Sequence, residues 1–297
     1  MLSYDILSVI FDRCDFISQI RLRQICVTTY DNLQMRDFYH IDETIKSALS
    51  DQILMNYHTI EKLDISYNPN ITNINHLKCL QLLNASYTNI SQVGIADLRE
   101  IISICLTGTE IYDINHLTKL RIVDISGTAL YYCGLTSRSI NELREIEQLD
   151  LRRNYVIKSV NHLKRLKRLN ACYSALNQAG IADLRELINL DVHDNTTITN
   201  VNDLKKLKRL DATNNCGIGQ AGITENTELI ELYASSNKKI HDVNHLKKLR
   251  KLYASFSSGI DQNGISQLSE LVEISYIANK KIYDTSHMKK LKFKFKY

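Results

Sequence analysis

The chain has one proline and no tryptophan among its 297 residues, whereas isoleucine, asparagine, lysine and tyrosine are abundant. We attribute this composition to an AT-rich coding sequence, so it bears on the source and not on the function. No stretch approaches the roughly 18 consecutive apolar residues that a membrane-spanning helix needs. The first residues also lack a basic region followed by an apolar run, because Asp5, Asp12 and Arg13 interrupt the hydrophobic positions. We therefore expect a cytoplasmic protein without a signal peptide or a membrane contact; the cytoplasm or nucleus of a host cell is the alternative.

Charge of one sign is not in excess, since the net charge is only +4. No overall field therefore directs the chain to nucleic acid or to an anionic membrane. The seven cysteines occur singly and form no CxxC pair, which favours reduced, mostly buried thiols. The motifs GxxxxGK[ST], GxSxG and HExxH are absent, so we predict a protein that is not an enzyme and uses no cofactor.

The main feature present is a repeat of the pattern LxLxxN, which occurs eleven times at spacings of 19 to 22 residues, with one spacing of 26. Such a period over most of the chain indicates a solenoid. In each unit two apolar residues two apart alternate with polar ones, as in a short strand with one buried face. The first apolar residues of the units are Leu63, Leu83, Ile104, Val123, Leu149, Leu169, Leu190, Leu210, Leu232, Leu252 and Ile274.

A small polar residue follows each strand and can bond the backbone groups that are freed where the chain turns away. We predict a structural ladder of these side chains through the stack. Its members are Asn68, Thr88, Thr109, Thr128, Asn154, Ser174, Asn195, Asn215, Asn237, Ser257 and Asn279.

The units resemble the short leucine-rich repeat, whose pattern is LxxLxLxxNxIxxIxxLxxL. One unit has the signature residues Leu149, Leu151, Asn154, Ile157, Val160, Leu163 and Leu166 in order. The resemblance implies an α/β fold: a curved leucine-rich-repeat solenoid of about eleven repeats, with a parallel concave sheet and 3₁₀ turns outside.

A second period lies on the first, because units with an Asn-His turn alternate with units that carry Gly-Ile. Basic runs such as 164–168 occur in every second unit, and acidic residues mostly occur in the others. Stacking would place opposite charges side by side, which is a poor surface for phosphates. We therefore predict laterally paired outer charges and no nucleic-acid partner.

Five histidines, His76, His116, His162, His245 and His287, recur at one place in alternate units. Equivalent positions two units apart lie roughly 10 Å from each other, too far for one ion to bind two of them. We interpret them as turn residues and predict no metal site.

The first 60 residues do not show the repeat, and their apolar residues have helical spacing. Residues 2–33 resemble an F-box, with LSYDILSVIF matching its first helix and IRLRQIC its second. F-box and leucine-rich repeats in this order are similar to proteins of large DNA viruses with AT-rich genomes, which implies a host–virus role. The resemblance implies adaptor-binding residues Leu2, Ile6, Leu7, Ile10, Phe11, Ile20, Leu22 and Ile25.

The resulting organisation is an F-box-like helical segment at 1–40, a helical cap or linker at 41–60, and the solenoid with a C-terminal cap at 61–297. The resemblance implies the substrate-recognition subunit of a cullin-RING ubiquitin ligase, which binds a Skp-type adaptor and an unknown protein target. The alternatives are a plain N-terminal cap on a stand-alone interaction scaffold, or a nucleic-acid or membrane binder.

The target would lie on the concave face, where the outward strand residues form an acidic stripe that gives way to tyrosines. Outward polar residues kept only for solubility are the alternative. The predicted target-binding residues are Asp124, Asp150, Asn170, Asp191, Asp211, Tyr233, Tyr253 and Phe256.

Two irregular segments complete the sequence. The fourth unit has about five extra residues, which we place near Thr136 to Ile140 and interpret either as a binding loop or as neutral slippage. The tail LKFKFKY alternates lysine with aromatic residues, as expected for an edge strand that closes the last unit; a membrane or nucleic-acid contact is the alternative.

Overall fold

A computed structural model describes residues 10–24, 33–127 and 135–296. Thirteen strands in these ranges form one sheet, in which each strand pairs in parallel with the next one along the chain. The strands are β1 (Asp37–Phe38), β2 (Lys62–Asp64), β3 (Leu82–Asn84), β4 (Ser103–Cys105), β5 (Ile122–Asp124), β6 (Gln148–Asp150), β7 (Arg168–Asn170), β8 (Asn189–Asp191), β9 (Arg209–Asp211), β10 (Glu231–Tyr233), β11 (Lys251–Tyr253), β12 (Glu273–Ser275) and β13 (Phe293–Phe295).

The predicted repeat is confirmed strand by strand. The eleven first apolar residues, from Leu63 to Ile274, are the central residues of β2 to β12 and pair with one another in register. All eleven are buried, as are the apolar residues two positions later in the chain. Burial of one residue in two along each strand therefore fixes the register, because a slip by one residue would expose the whole column.

The ladder is confirmed in most units. The Nδ2 amide of Asn237 donates to the carbonyls of Ala212 and Ile218 in the preceding unit, at 2.7 and 3.1 Å. The prediction is wrong at Asn215 and Ser257, which are exposed. In these two units the residue after the predicted ladder position is buried instead. Its side chain accepts the backbone N–H two residues later, the N–H of Ile218 or Ile260, which a ladder asparagine accepts in other units. The buried residues are Cys216 and Ser258.

Each turn out of the sheet contains one residue in the left-handed region, with φ between 52° and 69°. Nine of the eleven described residues of this kind are not glycine, although a side chain is disfavoured there. They form a column along one edge of the sheet, which we call the rim. The rim consists of Tyr67, Tyr87, Gly108, Gly127, Arg153, Tyr173, Asp194, Asn214, Ser236, Phe256 and Ala278.

Short 3₁₀ helices lie opposite the sheet in every second unit, as the alternation of unit types predicts. A glycine in four of these units approaches the preceding unit so closely that a Cβ would meet a carbonyl oxygen at 2.0 to 2.2 Å. The 3₁₀ helices are Val93–Ile95, Ser137–Ile140, Gln178–Gly180, Gln220–Gly222 and Asn263–Ile265.

Side chains connect neighbouring units on this outer side. Nε2 of His245 lies 3.0 Å from the carbonyl oxygen of Ile223 in the unit before, and the other four recurring histidines make the equivalent contact. Asn244 donates to the carbonyl of Asn263 in the unit after, at 2.7 Å. These bonds confirm the interpretation of the histidines as turn residues.

The outer charges pair laterally, as predicted. Lys206 contacts Glu186 of the preceding unit at 2.6 Å, and Lys205 contacts Glu225 of the following unit at 3.5 Å. Similar pairs join units elsewhere in the stack. Because these groups are exposed, each pair contributes little to stability, but it places a carboxylate beside a basic residue of this surface.

The extra residues of the fourth unit do not lie at Thr136 to Ile140, and that placement is wrong. Leu135 and Ile140 are buried at the positions that Ile90 and Ile95 occupy in an ordinary unit. Thr136 caps the regular 3₁₀ helix of its unit. The additional residues therefore lie between Gly127 and Leu135, in a stretch outside the described residues.

The N-terminal segment contributes three described helices, α1 (Phe16–Arg23), α2 (Glu43–Ala48) and α3 (Asp51–Leu54). α2 and α3 precede β2 in the chain, and Leu49 and Leu54 beside and within them are buried in the core. β1 was not predicted: it adds a strand before β2, and its Phe38 lies in the core. No described helix is long and apolar enough to cross a membrane.

β13 at the other end pairs with β12 and confirms the predicted edge strand. Its central residue, Lys294, pairs with Ile274 but is exposed, and its Nζ lies 5.7 Å from the centre of the Tyr276 ring. Phe293 and Phe295 are exposed on either side of it.

Candidate functional site on the sheet face

The outward side of the sheet is made of the first and third residues of each strand, because the second residue enters the core. We call this surface, from β2 to β12, the sheet face; it includes the side chains two residues beyond each strand. The third residues form one column in register, so the structure brings together seven of the eight predicted target-binding residues. Phe256 is in the rim beside them.

The acidic and amide side chains of this column each have a local structural role. Oδ1 of Asp150 accepts the backbone N–H of Arg152 at 2.9 Å, and Oδ1 of Asp191 accepts that of His193 at 3.1 Å. Asp124, Asn170 and Asp211 accept equivalent bonds. A short acceptor side chain at these strand ends therefore holds the turn that follows, which leaves the second carboxylate oxygen for other contacts. In Asp150 this oxygen already accepts from Arg152 Nε at 2.9 Å.

Basic residues lie beside the acidic column on the sheet face. The first strand residues include Arg168 and Arg209, and together with the aspartates they line a shallow depression of about 260 Å³. Burial and the neighbouring Asp211 carboxylate raise the pKa of Asp191, and burial with Asp124 raises that of Asp150. The stripe is thus a mixed surface of arginines and partly desolvated carboxylates.

The aromatic end of the column is ordered by stacking. The rings of Tyr233 and Tyr253 are parallel, with centroids 4.4 Å apart, and the guanidinium of Arg209 lies 4.6 Å from the Tyr233 centroid. The Tyr253 hydroxyl donates to Glu273, and burial together with this carboxylate raises the pKa of Tyr253. Phe256 is 56% exposed.

The rim carries three further aromatic residues that the sequence analysis did not identify. Tyr67 and Tyr87 are stacked at 4.9 Å, and Tyr173 lies edge-on to His193 at 5.0 Å. Gly108 makes room for the Tyr87 ring, since a Cβ there would lie 2.6 Å from it. The signal was present in the sequence, because every rim residue immediately precedes a ladder position.

A second cluster that was missed joins β7 and β8. Sγ of Cys172 lies 3.1 Å from Nδ1 of His193, and Nε2 of the same ring lies 3.1 Å from Oδ2 of Asp194. Burial and the carboxylates of Asp191, Asp194 and Asp211 raise the pKa of the Cys172 thiol to about 12. A thiol with such a pKa is protonated at neutral pH, so the arrangement does not supply a nucleophile.

The sequence contained a signal for this cluster too. Cys172 and His193 each lie two residues beyond the third strand residue of adjacent units, so the repeat places them side by side. His193 is not one of the recurring Asn-His residues, which lie on the outer side of the solenoid.

The predicted adaptor-binding residues divide into four groups. Ile10 is 42% exposed, whereas Phe11 is 1% exposed and belongs to the core. Ile20 and Leu22 are partly buried against that core. Leu2, Ile6, Leu7 and Ile25 lie outside the described residues. Phe11 therefore packs inside the protein and is not presented to a partner.

Comparison with known proteins gives a likeness in structure only. No family model and no curated protein matches the sequence. An internalin from Listeria monocytogenes is 21% identical with a TM-score of 0.64, over 82% of this chain and 76% of the internalin. A leucine-rich-repeat protein of Leptospira interrogans is 20% identical with a TM-score of 0.58, over 95% of this chain and 87% of its own.

A third similar structure is TLR13 in complex with the RNA ssRNA13, at 17% identity and a TM-score of 0.57. The match covers 93% of this chain and 52% of TLR13. At such identities the similarity shows the fold and no more. The chain has the leucine-rich-repeat fold, a parallel solenoid of about eleven turns.

Proposed function

We propose that the protein works by binding another protein on the sheet face and the rim, and that it catalyses no reaction. The observation that carries the proposal is the row of exposed aromatic residues in the rim, Tyr67, Tyr87, Tyr173 and Phe256. Each adopts a left-handed backbone conformation that a bulky side chain disfavours, and each is at least 40% exposed. Serine, asparagine and alanine adopt the same conformation in other turns of the rim, so the turn itself does not require an aromatic side chain. Exposed aromatic residues are the usual anchors of protein interfaces.

The charges beside these anchors favour a protein over a nucleic acid. The sheet face carries the carboxylates of Asp124, Asp150, Asp191 and Asp211, and the basic runs of the outer side are paired with acidic residues. A phosphate backbone would meet both sets of carboxylates. A partner with arginine or backbone N–H donors between apolar side chains fits better.

The test is co-purification of the full chain from a source cell extract, followed by binding measurements with the purified partner. We expect Phe256→Ser and Tyr67→Ser each to weaken partner binding by at least tenfold, as loss of an aromatic anchor does. Tyr112→Ser is the matched control, because Tyr112 is 58% exposed and its backbone N–H bonds to Gln92, beside the 3₁₀ helix of the preceding unit. Equal loss with the control, or binding of RNA that disappears with added salt, would contradict the proposal.

Docking of a Skp-type adaptor is a second proposal, which would make the protein a substrate-recognition subunit of a ubiquitin ligase in the cytoplasm. Its support is that Ile10, which precedes α1, and Ile17, in the first turn of α1, are 42% and 43% exposed. The inward packing of Phe11, Ile20 and Leu22 supports the alternative of a plain cap.

Purified adaptor should bind the full chain and lose binding on Ile10→Asp or Ile17→Asp. Ile53→Asp in α3, at an exposed isoleucine of the cap, is the control and should leave binding unchanged. Absence of adaptor binding to the unaltered chain would leave the solenoid as a stand-alone interaction scaffold.

A further inference from the structure

Three side chains with different metal-binding atoms converge beside the rim. The ligand atoms of Cys172, Asp191 and His193 all lie within 4.8 Å of one another, and Sγ of Cys172 is 3.1 Å from Nδ1 of His193. Zn²⁺ binds sulfur at about 2.3 Å and nitrogen or oxygen at about 2.0–2.2 Å, so tetrahedral ligands lie roughly 3.3–3.8 Å apart. Small side-chain adjustments would bring the three atoms onto one ion.

The backbone holds this arrangement. Asn170 and Asp191 are register partners in β7 and β8, and Cys172 and His193 follow them at the same distance along each chain segment. The parallel hydrogen bonds continue beyond the strands, because the N–H of Tyr173 donates to the carbonyl of His193 at 3.3 Å. The cluster therefore comes from two adjacent turns of a rigid stack and not from a loose loop.

A second layer of hydrogen bonds orients the imidazole. Nε2 of His193 lies 3.1 Å from Oδ2 of Asp194, an arrangement that leaves Nδ1 free to bind a metal ion. Asp194 is itself held, since Oδ2 accepts from Asn214 Nδ2 at 3.0 Å and Oδ1 accepts from the Asn215 N–H at 3.2 Å. Asp191 uses Oδ1 for the His193 N–H and keeps Oδ2 for a ligand bond.

We propose that Cys172, Asp191 and His193 form a zinc site with Sγ, a carboxylate oxygen and Nδ1 as its three protein ligands. Thiolate, imidazole and carboxylate together favour Zn²⁺ over Ca²⁺ or Mg²⁺, which take oxygen ligands only. Cys172 and His193, together with Arg152 and Tyr173, line a cavity of about 400 Å³. The fourth position of the ion faces this cavity and takes water or a donor group of a bound partner.

A hydrolytic cysteine with His193 as its base is the competing interpretation of the same contacts. Cys172 is only 5% exposed, and carboxylates surround it, whereas a reactive cysteine sits in an exposed, electropositive site.

The test uses the untagged full chain, stripped of metal and titrated with Zn²⁺ against a chromophoric chelator. We expect one equivalent of zinc to bind. Cys172→Ser and His193→Gln should abolish this binding, and Asp194→Asn should weaken it by about 10–100-fold, as loss of an outer hydrogen-bond partner does. Cys105→Ser is the matched control, a half-buried cysteine of the same column region with Ser86 and Thr107 as its contacts and no histidine.

A second measurement does not depend on the variants folding. Zn²⁺ should protect Cys172 of the unaltered protein from alkylation by iodoacetamide after partial denaturation, and Co²⁺ should give a thiolate-to-metal absorption band. Failure to bind zinc, binding that survives Cys172→Ser, or alkylation of Cys172 unaffected by zinc would each overturn the proposal. Partner binding on the rim is measured separately, so the two proposals can fail independently.

Discussion

Gly222 shows how one hydrogen atom in place of a methyl group decides whether two units can stack. A Cβ at this position would lie 2.2 Å from the carbonyl oxygen of Thr199, which is backbone and cannot move aside. We expect Gly222→Ala to lower the free energy of unfolding by about 1–3 kcal/mol, the usual cost of overpacking a core. Urea titration measures this loss.

The control for this change lies three residues earlier. A Cβ at Gly219 would meet only the Cβ of Lys239 at 3.2 Å, so Gly219→Ala should cost much less. Equal losses at both positions would show that the close approach is not what requires glycine.

Asp150 gives a pH dependence of known sign. Burial raises its pKa in the folded protein above the ordinary 3.8, so it stabilises the fold most when protonated and loses that contribution as the pH rises through the folded-state pKa. Asp150→Asn keeps the acceptor for the Arg152 N–H. The stability of this variant relative to the unaltered protein should therefore increase from pH 3 to pH 7.

Asp284 provides a comparison of opposite sign. Hydrogen bonds from Ser286 lower its pKa, so its contribution is present above pH 3.8 and is lost on acidification. Asp284→Asn should lose relative stability over the same interval, measured by thermal unfolding at each pH. Parallel trends for the two variants would contradict the assignment.

At the residue scale, much could be predicted from the sequence. The core column from Leu63 to Ile274 follows from the repeat alone, because only one alignment of the units buries an apolar residue at the centre of every strand. The bond from Asp150 to the Arg152 N–H and the contact of Cys172 with His193 were missed, since they depend on what lies two residues beyond a strand. Those positions have no apolar period to reveal them.

At the scale of elements, β13 is the feature most exposed to solvent. Its outer edge has no partner strand among the described residues, and Lys294 occupies the position of a core residue without being buried. Lysine on such an edge discourages pairing with a second chain. We expect Lys294→Ile to self-associate, seen as larger species in sedimentation velocity.

The control for this change is Lys289→Ile, at an exposed lysine before the strand, which should remain at the size of the unaltered protein. If both variants or neither self-associate, the charge on the edge strand is not what protects it.

The elements that sequence analysis misjudged are those with the fewest residues. β1 has two residues, too few for an alternating pattern, and only its pairing with β2 identifies it. Phe11 matches an F-box helix by sequence, but hydrophobic residues on a short helix suit a partner and the chain's own core equally well. Phe16 packs on Phe38 with ring centroids 4.9 Å apart, so much of that apolar surface is used internally.

At the scale of the whole molecule, the solenoid repeats in pairs of units, one with the Asn-His turn and one with Gly-Ile. Deletion of residues 190–231 removes one unit of each kind and joins Asn189 to Leu232, which restores the alternation of Asn-His and Gly-Ile units. Deletion of residues 190–209 removes Lys205 and Lys206, the partners of Glu225 and Glu186, and makes two units with acidic outer residues neighbours. We expect the pair deletion to fold cooperatively and the single deletion to melt at least about 5 °C lower.

Calorimetry of the two shortened proteins compares their midpoints directly. The shorter deletion removes fewer residues, so loss of core alone would make it the more stable of the two. A higher midpoint for the single deletion would therefore show that the alternation does not matter.

The side-chain bonds between units have a mechanical consequence. Those from the recurring His, Asn and Gln residues span only about one repeat, such as His245 to Ile223 or Gln220 to Asp242. No such bond ties one end of the stack to the other. A chain pulled by its termini should therefore lengthen in a series of similar small steps as end units peel away, and the middle of the stack should be the last part to extend.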